Sequence, residues 1–333
     1  MKRIAALAIC CLLLAHTGCA SQQPMTQTIL ALDTVIQVTY YDAQDEQAVQ
    51  ESLQLCQEWE ALLSKTIEGS DIYRINHAQG KAVEIDPITY QLIEQANYYS
   101  QLCGGAFDIT IGSVTALWDF HQEENAVLPD PDQLAQALTL VDYQQIHLYQ
   151  AGERYYCQVP AGVQLDLGAI AKGYIADQMG AYLQQQEVEN AVLDLGGNIQ
   201  TVGDKNGDGY RIGVKSPSDP TQVIATLDVS GANVVTSGVY ERYIEVDGQR
   251  YHHILNTHTG YPVENHVASV TILSSDGASA DALSTACFTL GEADGLSLLE
   301  SLPYAEGIFI MDEGQIITTS GISQYNFTVL ENE

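Results

Sequence analysis

Tyr240-Glu241-Arg242-Tyr243-Ile244-Glu245-Val246-Asp247-Gly248-Gln249-Arg250-Tyr251-His252-His253-Ile254-Leu255 is the stretch that decides the fold class. Two β-prone runs, Tyr240–Val246 and Tyr251–Leu255, flank an Asp-Gly pair. Asp-Gly in that setting predicts a tight hairpin turn, because both central residues of such a turn need positive φ. Working outward, Arg211–Val214 and Val223–Val229 read as strands, and Ala191–Leu195 reads as a buried strand ending in Gly196-Gly197. Downstream come a strand at Val267–Leu273, a helix over Gly277–Leu290 and a terminal strand–helix–strand set. Strands in hairpins as well as beside helices predict an α+β fold, with mixed or antiparallel sheets and packed helices, rather than a doubly wound α/β fold.

The amino-terminal half supplies the helices. Thr34–Tyr41 alternates as a strand, and Gln44–Leu63 places Val49, Leu53, Cys56 and Leu63 on one helical side. Ser64–Asn76 is polar and turn-rich. Asp86-Pro87 and Asp130-Pro131 each set an N-cap before a first-turn proline, opening helices that run to about Leu102 and Leu140. Ala169–Gln186 reads as another helix. With no Pro- or Ser-rich linker, residues 29–333 are expected to form one globular, two-lobed unit.

Charge narrows the function. Lys plus Arg number 12 and Asp plus Glu 43, a formal net charge of −31. Such a surface repels nucleic acid and anionic lipid, so any anionic ligand must be held by local cations, backbone N–H groups or a metal. At the start, Lys2-Arg3 precedes an apolar run from Ile4 to Ala15, too short to span a bilayer and typical of a secretory signal. His16-Thr17-Gly18-Cys19-Ala20-Ser21 resembles a bacterial lipobox, with His16 where Leu is usual. The expectation is a signal peptide at 1–18, lipidation of Cys19 and a lipidated tether over 19–28. An extracytoplasmic protein held on a bacterial membrane follows. Cys56, Cys103, Cys157 and Cys287 lack any CxxC pairing and are expected as buried thiols.

Four stretches bear on chemistry. On a helix, Asp281 and Thr285 share a face, and a carboxylate with a hydroxyl makes a hard oxygen pair suited to Mg²⁺. The competing reading is a capped helix whose Thr285 bonds back to the Asp281 carbonyl. Leu165-Asp166-Leu167-Gly168-Ala169-Ile170-Ala171-Lys172 delivers an acid from a strand into a turn and puts a cation in the next helix's first turn. A helix N-terminus prefers an anion, so Lys172 there points to a ligand, with a solvated lysine as the alternative. Adjacent His252 and His253 on a strand point to opposite faces, which disfavours a shared metal and leaves one as a general base or hydrogen-bond donor. Asp204–Gly209 mimics the start of an EF-hand loop, but Lys215 stands at its twelfth position, so a hairpin turn is expected.

In combination these segments resemble the FAD:protein FMN transferases, the ApbE-type flavin transferases. The resemblance spans about Leu32–Leu290. It rests on Ser70–Asn76, Gly105–Gly112, Asp166–Asp177, Asp194–Asn198, Thr236–Gly238, His253–Asn256 with Thr259–Val263, and Ala280–Thr285, in that family's order. It implies an ApbE-like fold and an enzyme that moves the FMN half of FAD onto a Thr or Ser hydroxyl of a target protein, releasing AMP. It implies Mg²⁺ held by the Asp281 and Thr285 side chains and the Ala169 carbonyl. Leu32, Thr66, Ala106, Phe107, Asp108, Asp166, Lys172 and Leu255 would contact FAD, and His253 would lie near the reacting phosphate. The implied partner is an acceptor flavoprotein or redox-complex subunit.

Three departures stand out. Leu32-Asp33-Thr34 replaces that family's usual Met-Gly-Thr, Ser64-Lys65-Thr66 replaces Ser-Thr-Tyr, and Asn256-Thr257 replaces Asp-Pro. The lost aromatic at 66 keeps an FAD pyrophosphatase, yielding FMN and AMP, as the alternative enzyme. A non-enzymatic flavin-binding lipoprotein is the alternative outside enzymes.

Overall fold

The computed structural model describes residues 23–120, 126–205 and 207–330; the signal segment and Cys19 lie outside them. In chain order the first elements are β1 (Met25–Ala31), β2 (Thr34–Tyr40), α1 (Glu46–Leu63), α2 (Asp71–Asn76), β3 (Val83–Ile85), α3 (Pro87–Leu102), α4 (Gly112–Trp118) and α5 (Pro131–Leu138). Then come β4 (His147–Ala151), β5 (Arg154–Gln158), α6 (Ala171–Gln185), β6 (Asn190–Leu195), β7 (Asn198–Gly203), β8 (Tyr210–Lys215), β9 (Val223–Val229) and β10 (Asn233–Gly238). The last are β11 (Tyr243–Val246), β12 (Gln249–His252), β13 (Val267–Ser274), α7 (Gly277–Leu290), α8 (Glu292–Glu300), β14 (Ala305–Met311), β15 (Ile316–Thr318) and β16 (Thr328–Val329).

Eight strands pair in the order β1-β2-β6-β7-β10-β13-β14-β15, every neighbour antiparallel. Alternation along the inner strands separates two cores. Val235, Ile272 and Phe309 join the main core with Ala282, Leu283 and Phe288 of α7. Their neighbours Val234, Leu273, Ile308 and Ile310 face Ile212, Val214 and Leu227 of the sheet β16-β9-β8. β13 is thus buried along its whole length, and each large apolar side chain it hides contributes about 1.5–3 kcal/mol. A satellite core joins Val114 and Trp118 of α4, Leu134 of α5, Ile244 of β11 and Leu255. The Trp118 Nε1–H donates to the Gly260 carbonyl at 2.8 Å, tying the chain beyond β12 to α4.

The α+β fold with antiparallel sheets is therefore as expected, and so is the Asp247-Gly248 turn, where both residues have positive φ. Asp86 and Asp130 cap α3 and α5 ahead of their prolines. Several expectations need correction. The stretch read as tether becomes, from Met25, an edge strand, because Met25, Ile29 and Ala31 alternate inward against β2 and α1. Within the polar 64–76 stretch, Ser70 caps the short helix α2. The hairpin ladder spans only Tyr243–His252, since Glu241 turns back on the Gly238 carbonyl. The expected turn is present as an antiparallel bridge in which Lys205 and Asp208 exchange N–H to carbonyl bonds at 2.7 and 3.2 Å, but the strands it joins, β7 and β8, sit in different sheets. α6 opens at Ala171, two residues late, after a turn on the Leu167 carbonyl. At the carboxyl end the helix α8 precedes the last strands, and a 3₁₀ turn rather than an α-helix separates β15 from β16. Cys56, Cys103, Cys157 and Cys287 are buried free thiols; burial pushes Cys56 and Cys157 up to about 12, which keeps them unreactive.

Candidate active site

Two helix N-termini meet because two glycines let their backbones touch. A Cβ at Gly173 would stand 2.0 Å from the Gly277 carbonyl oxygen, and one at Gly277 would stand 2.5 Å from that of Gly173. At this crossing the Gly173 N–H donates to Asp281 Oδ2 at 3.0 Å. That N–H would otherwise close a helical turn on Ala169, so the Ala169 carbonyl is left without that donor. Asp177 reaches the other way and accepts from the Gly277 N–H at 2.6 Å, while Asn233 Nδ2 donates to it at 2.9 Å. Burial and the Asp276 charge push the Asp177 carboxyl up to about 6, against the pull of these donors.

Asp166 is held from three directions. Its Oδ2 pairs with Lys65 Nζ at 2.5 Å and accepts from the Thr115 hydroxyl at 3.1 Å, while Oδ1 accepts from the Gly168 N–H at 2.9 Å. Burial alone would push this carboxyl up, but the Lys65 charge and these donors hold it below the usual carboxylate range. Just before it, Asn76 clasps the Leu165 backbone, donating to its carbonyl at 2.9 Å and accepting from its N–H at 2.7 Å. Asp71 accepts from the Asp86 N–H at 2.7 Å. The Ser70–Asn76 motif therefore buttresses the site rather than forming it. Lys172 rests its ammonium on the Gly168 carbonyl at 3.0 Å in a solvent-exposed hydrogen bond, with two further N–H donors for water or a ligand.

His253 sits just past β12. Its Nδ1 lies 3.1 Å from the Arg242 carbonyl, and its backbone N–H donates to the same oxygen at 3.0 Å. A carbonyl only accepts, so Nδ1 carries the proton of the neutral ring and Nε2 keeps a lone pair. Burial pushes His253 down to about 4, against the pull of the Arg242 carbonyl; the Lys172 and Arg242 charges add to the fall. His252 turns elsewhere, with Nε2 3.1 Å from the Val263 carbonyl and its ring edge-on to Phe288. Arg242 also donates to the Asp33 carbonyl at 3.3 Å, joining His253 to the β1–β2 turn. In that turn Leu32 and Asp33 both have positive φ, and Glu60 accepts from the Leu32 N–H at 2.7 Å. Glu241, next to Arg242, is exposed to solvent along one side while the surrounding protein crowds its carboxyl. Burial pushes it up to about 7; Lys172 opposes this and Asp281 reinforces it.

The remaining expected residues line up behind these. Leu255 bridges Pro262 and packs in the satellite core. Thr257 donates to the Gly105 carbonyl at 2.8 Å, fastening the 106–108 turn to the chain after His253. Phe107 is buried in the main core, and Asp108 accepts from the Thr110 N–H and hydroxyl and from the Tyr143 N–H. Thr66 is exposed, its N–H and hydroxyl both on Ser64 Oγ. Lys65 and Glu241 escaped the sequence reading. A cation inside a departing motif was the available signal for Lys65; for Glu241 it was an acid three residues after Gly238.

The donor set suits a hard divalent cation. Asp281 is 3% exposed, and among the described residues it has no cationic partner and no hydrogen bond on Oδ1. A buried carboxylate so placed calls for positive charge. The Thr285 hydroxyl is 3.4 Å from Ser237 Oγ, while Ser284 takes the back-bond to the Asp281 carbonyl. The capped-helix alternative for Thr285 is thus not what the helix does. An apolar groove of about 420 Å³, lined by residues including Ile224, Val239, Ile310 and Leu330, has Asp312 as its only titratable lining residue and does not include these groups.

Residues 32–309 match the ApbE family. The chain is 36% identical over 324 residues to the FAD:protein FMN transferase of Treponema pallidum, covering 92% of this chain and 89% of that protein. It is 38% identical over 278 residues to the FAD:protein FMN transferase of Klebsiella pneumoniae, covering 83% and 86%. The crystal structure of the ApbE protein from Thermotoga maritima superposes with a TM-score of 0.83 at 33% identity, covering 91% of this chain and 99% of that one. The flavin transferase ApbE from Vibrio cholerae superposes with a TM-score of 0.78 at 26% identity, over 91% and 100%.

Proposed function

This chain belongs to the ApbE family, and from that premise we propose that it is an Mg²⁺-dependent FAD:protein FMN transferase. The reaction moves FMN from FAD to a Thr or Ser hydroxyl of an acceptor protein and releases AMP. The observation that carries the metal dependence is the buried Asp281 at the α6–α7 crossing, which among the described residues has no cationic partner and which has Thr285 one helical turn further along α7. A bound Mg²⁺ would neutralise pyrophosphate oxygens and the charge developing on them. In this chain, Asp281, Thr285 and Ala169 would hold it. Asp166 and Lys172, fastened to one turn, would position the dinucleotide.

His253 offers Nε2 as acceptor for the proton of the attacking hydroxyl, its ring set by the Arg242 carbonyl. A new bond forms from that oxygen to the flavin-side phosphorus, the pyrophosphate P–O bond breaks, and AMP departs with the electron pair. His253→Ala is expected to lower kcat by roughly 10²–10⁴-fold. The working form is the neutral ring, so activity is present above about pH 4 and lost as pH falls through it. That acid limb should be missing from the residual activity of the variant. A variant with unchanged rate and limb removes His253 from the chemistry.

The test of function is incubation with FAD, Mg²⁺ and an acceptor domain carrying an Asp-x-x-Ser/Thr-Gly-Ala-Ser/Thr motif. Mass spectrometry should find one FMN unit on the acceptor. The exposed, ringless Thr66 favours water as a second acceptor; free FMN and AMP with an unmodified acceptor would mark the protein as a pyrophosphatase. Flavin bound but never cleaved would reduce it to a carrier.

The Lys2–Ala15 signal pattern and Cys19 support export and lipid anchoring to a bacterial membrane. Cys19→Ser should move the protein from the membrane to the soluble fraction, and an unmoved protein refutes the anchor.

A further inference from the structure

Lys65 has no part in the reaction described above, yet its placement is tightly determined. Beyond the end of α1, Ser64 Oγ accepts from the N–H groups of Thr66 at 3.1 Å and Ile67 at 3.3 Å, and the Ser70 hydroxyl donates to the Ser64 carbonyl. This local turn holds the backbone on either side of Lys65, so little further order is needed to place its side chain. The ammonium then reaches Asp166, 101 residues away, and lies 3.4 Å from the Thr115 hydroxyl, which bonds the same Asp166 oxygen. One carboxylate oxygen thus gathers donors from the 64–66 loop and from α4, while the other binds the turn leading into α6. Lys65 and Lys172 therefore both end on the short segment Asp166–Gly168.

We propose that Lys65 is a positioning residue of the FAD site, clamping the Thr66 loop to the Asp166 turn so that both meet the dinucleotide in one fixed geometry. The inference rests on the flavin-transferase reading and adds a residue that the family resemblance does not assign. Asp166 is only 18% exposed and Lys65 36%, so the pair is partly desolvated and not a surface bridge of negligible effect. Burial opposes ionisation of Asp166, and Lys65 leads the groups that restore it; the Gly168 N–H and the Thr115 hydroxyl follow. Lys172 approaches through the Gly168 carbonyl rather than the carboxylate. Without Lys65, burial is countered by neutral donors alone, and the carboxyl protonates at higher pH. FAD binding that needs ionised Asp166 is present above that pKa and lost as pH falls through it, so the loss should begin earlier on the acid side.

The experiment follows FAD binding by quenching of flavin fluorescence, with Mg²⁺ present, from about pH 2.5 to 8, a range that brackets a carboxyl held below the usual carboxylate values. It compares the wild-type chain with Lys65→Met and Lys65→Arg and records thermal melting of each. Lys65→Met should bind FAD about tenfold or more weakly at pH 7, with its acid midpoint displaced upward by about one unit or more. Lys65→Arg should keep the wild-type midpoint. A Met variant with wild-type affinity and midpoint, even one that melts earlier, overturns the proposal, because a merely structural pair would move only the melting. If the Met variant does not fold, Lys65→Gln takes its place, keeping a polar side chain without the charge. Its midpoint should rise in the same direction, and an unmoved midpoint overturns the proposal. Wild-type protein that binds no FAD refutes the transferase reading itself, a result distinct from failure of the Lys65 role.

Discussion

Asp281→Asn is expected to lower kcat/KM for flavin transfer by roughly 10²–10⁴-fold, about 3–5 kcal/mol of transition-state stabilisation, while leaving the protein folded. The amide keeps an oxygen that can accept from the Gly173 N–H, the bond that Asp281 makes at 3.0 Å across the helix crossing. What it lacks is the charge. Asp281 is buried, and among the described residues no lysine, arginine or histidine pairs with it, so the variant removes an uncompensated buried anion and should not lose much stability. A second measurement separates loss of metal from loss of chemistry. In the absence of FAD, Mg²⁺ at 100 times its dissociation constant should stabilise the wild-type chain by about 2.7 kcal/mol, because it binds the folded state alone. The Asn variant should show almost no such shift in its melting. A variant with wild-type turnover, or with an undiminished Mg²⁺ shift, would place the metal elsewhere.

Gly173→Ala should damage both stability and activity. The added methyl would lie 2.0 Å from the Gly277 carbonyl oxygen and 2.9 Å from Asp281 Cβ. The first obstacle is backbone, so no rotamer change relieves it, and α6 and α7 must separate. Overpacking of this sort costs about 1–3 kcal/mol or more, a fall in Tm of roughly 1.5–5 °C for a chain of this size. Separation also takes the Gly173 N–H from Asp281, and with it the spacing of the Ala169 carbonyl, Asp281 and Thr285. Transfer activity should therefore drop further than the melting alone explains. Gly277→Ala approaches the Gly173 carbonyl at 2.5 Å and should act in the same direction. The double variant should be less than additive, because either methyl alone forces the helices apart. Differential scanning calorimetry with the transfer assay decides the matter; a Gly173→Ala protein that melts and turns over normally would mean that the crossing is looser than its geometry implies.

These two residues illustrate what a linear reading can and cannot reach. The pairing of Asp281 with Thr285 was legible because four residues make one helical turn, and the cap at Asp276 places the helix in register. Gly173 was visible only as a letter in a motif; that it touches Gly277 depends on two helices whose contacting residues lie more than 100 positions apart. Lys65 is plainer still, since nothing near position 65 announces an acid at 166. β1 escaped because its Thr26, Gln27 and Thr28 look like a polar tether until β2 gives the alternate residues a surface to cover. The hairpin at 243–252, by contrast, was legible from two residues at its tip.

Sequence alone determined the α+β class, the capped helices, the Asp-Gly hairpin and the family whose motifs the chain repeats, because each depends on residues a few positions apart and on steric preferences that act locally. Tertiary structure decided the strand order across eight strands, the glycine-lined contact of α6 with α7, the His253 tautomer and the lysine clamp on Asp166. Those depend on surfaces that exist only after burial has brought distant segments together, where one carboxylate's charge state is set by neighbours the chain order never puts beside it.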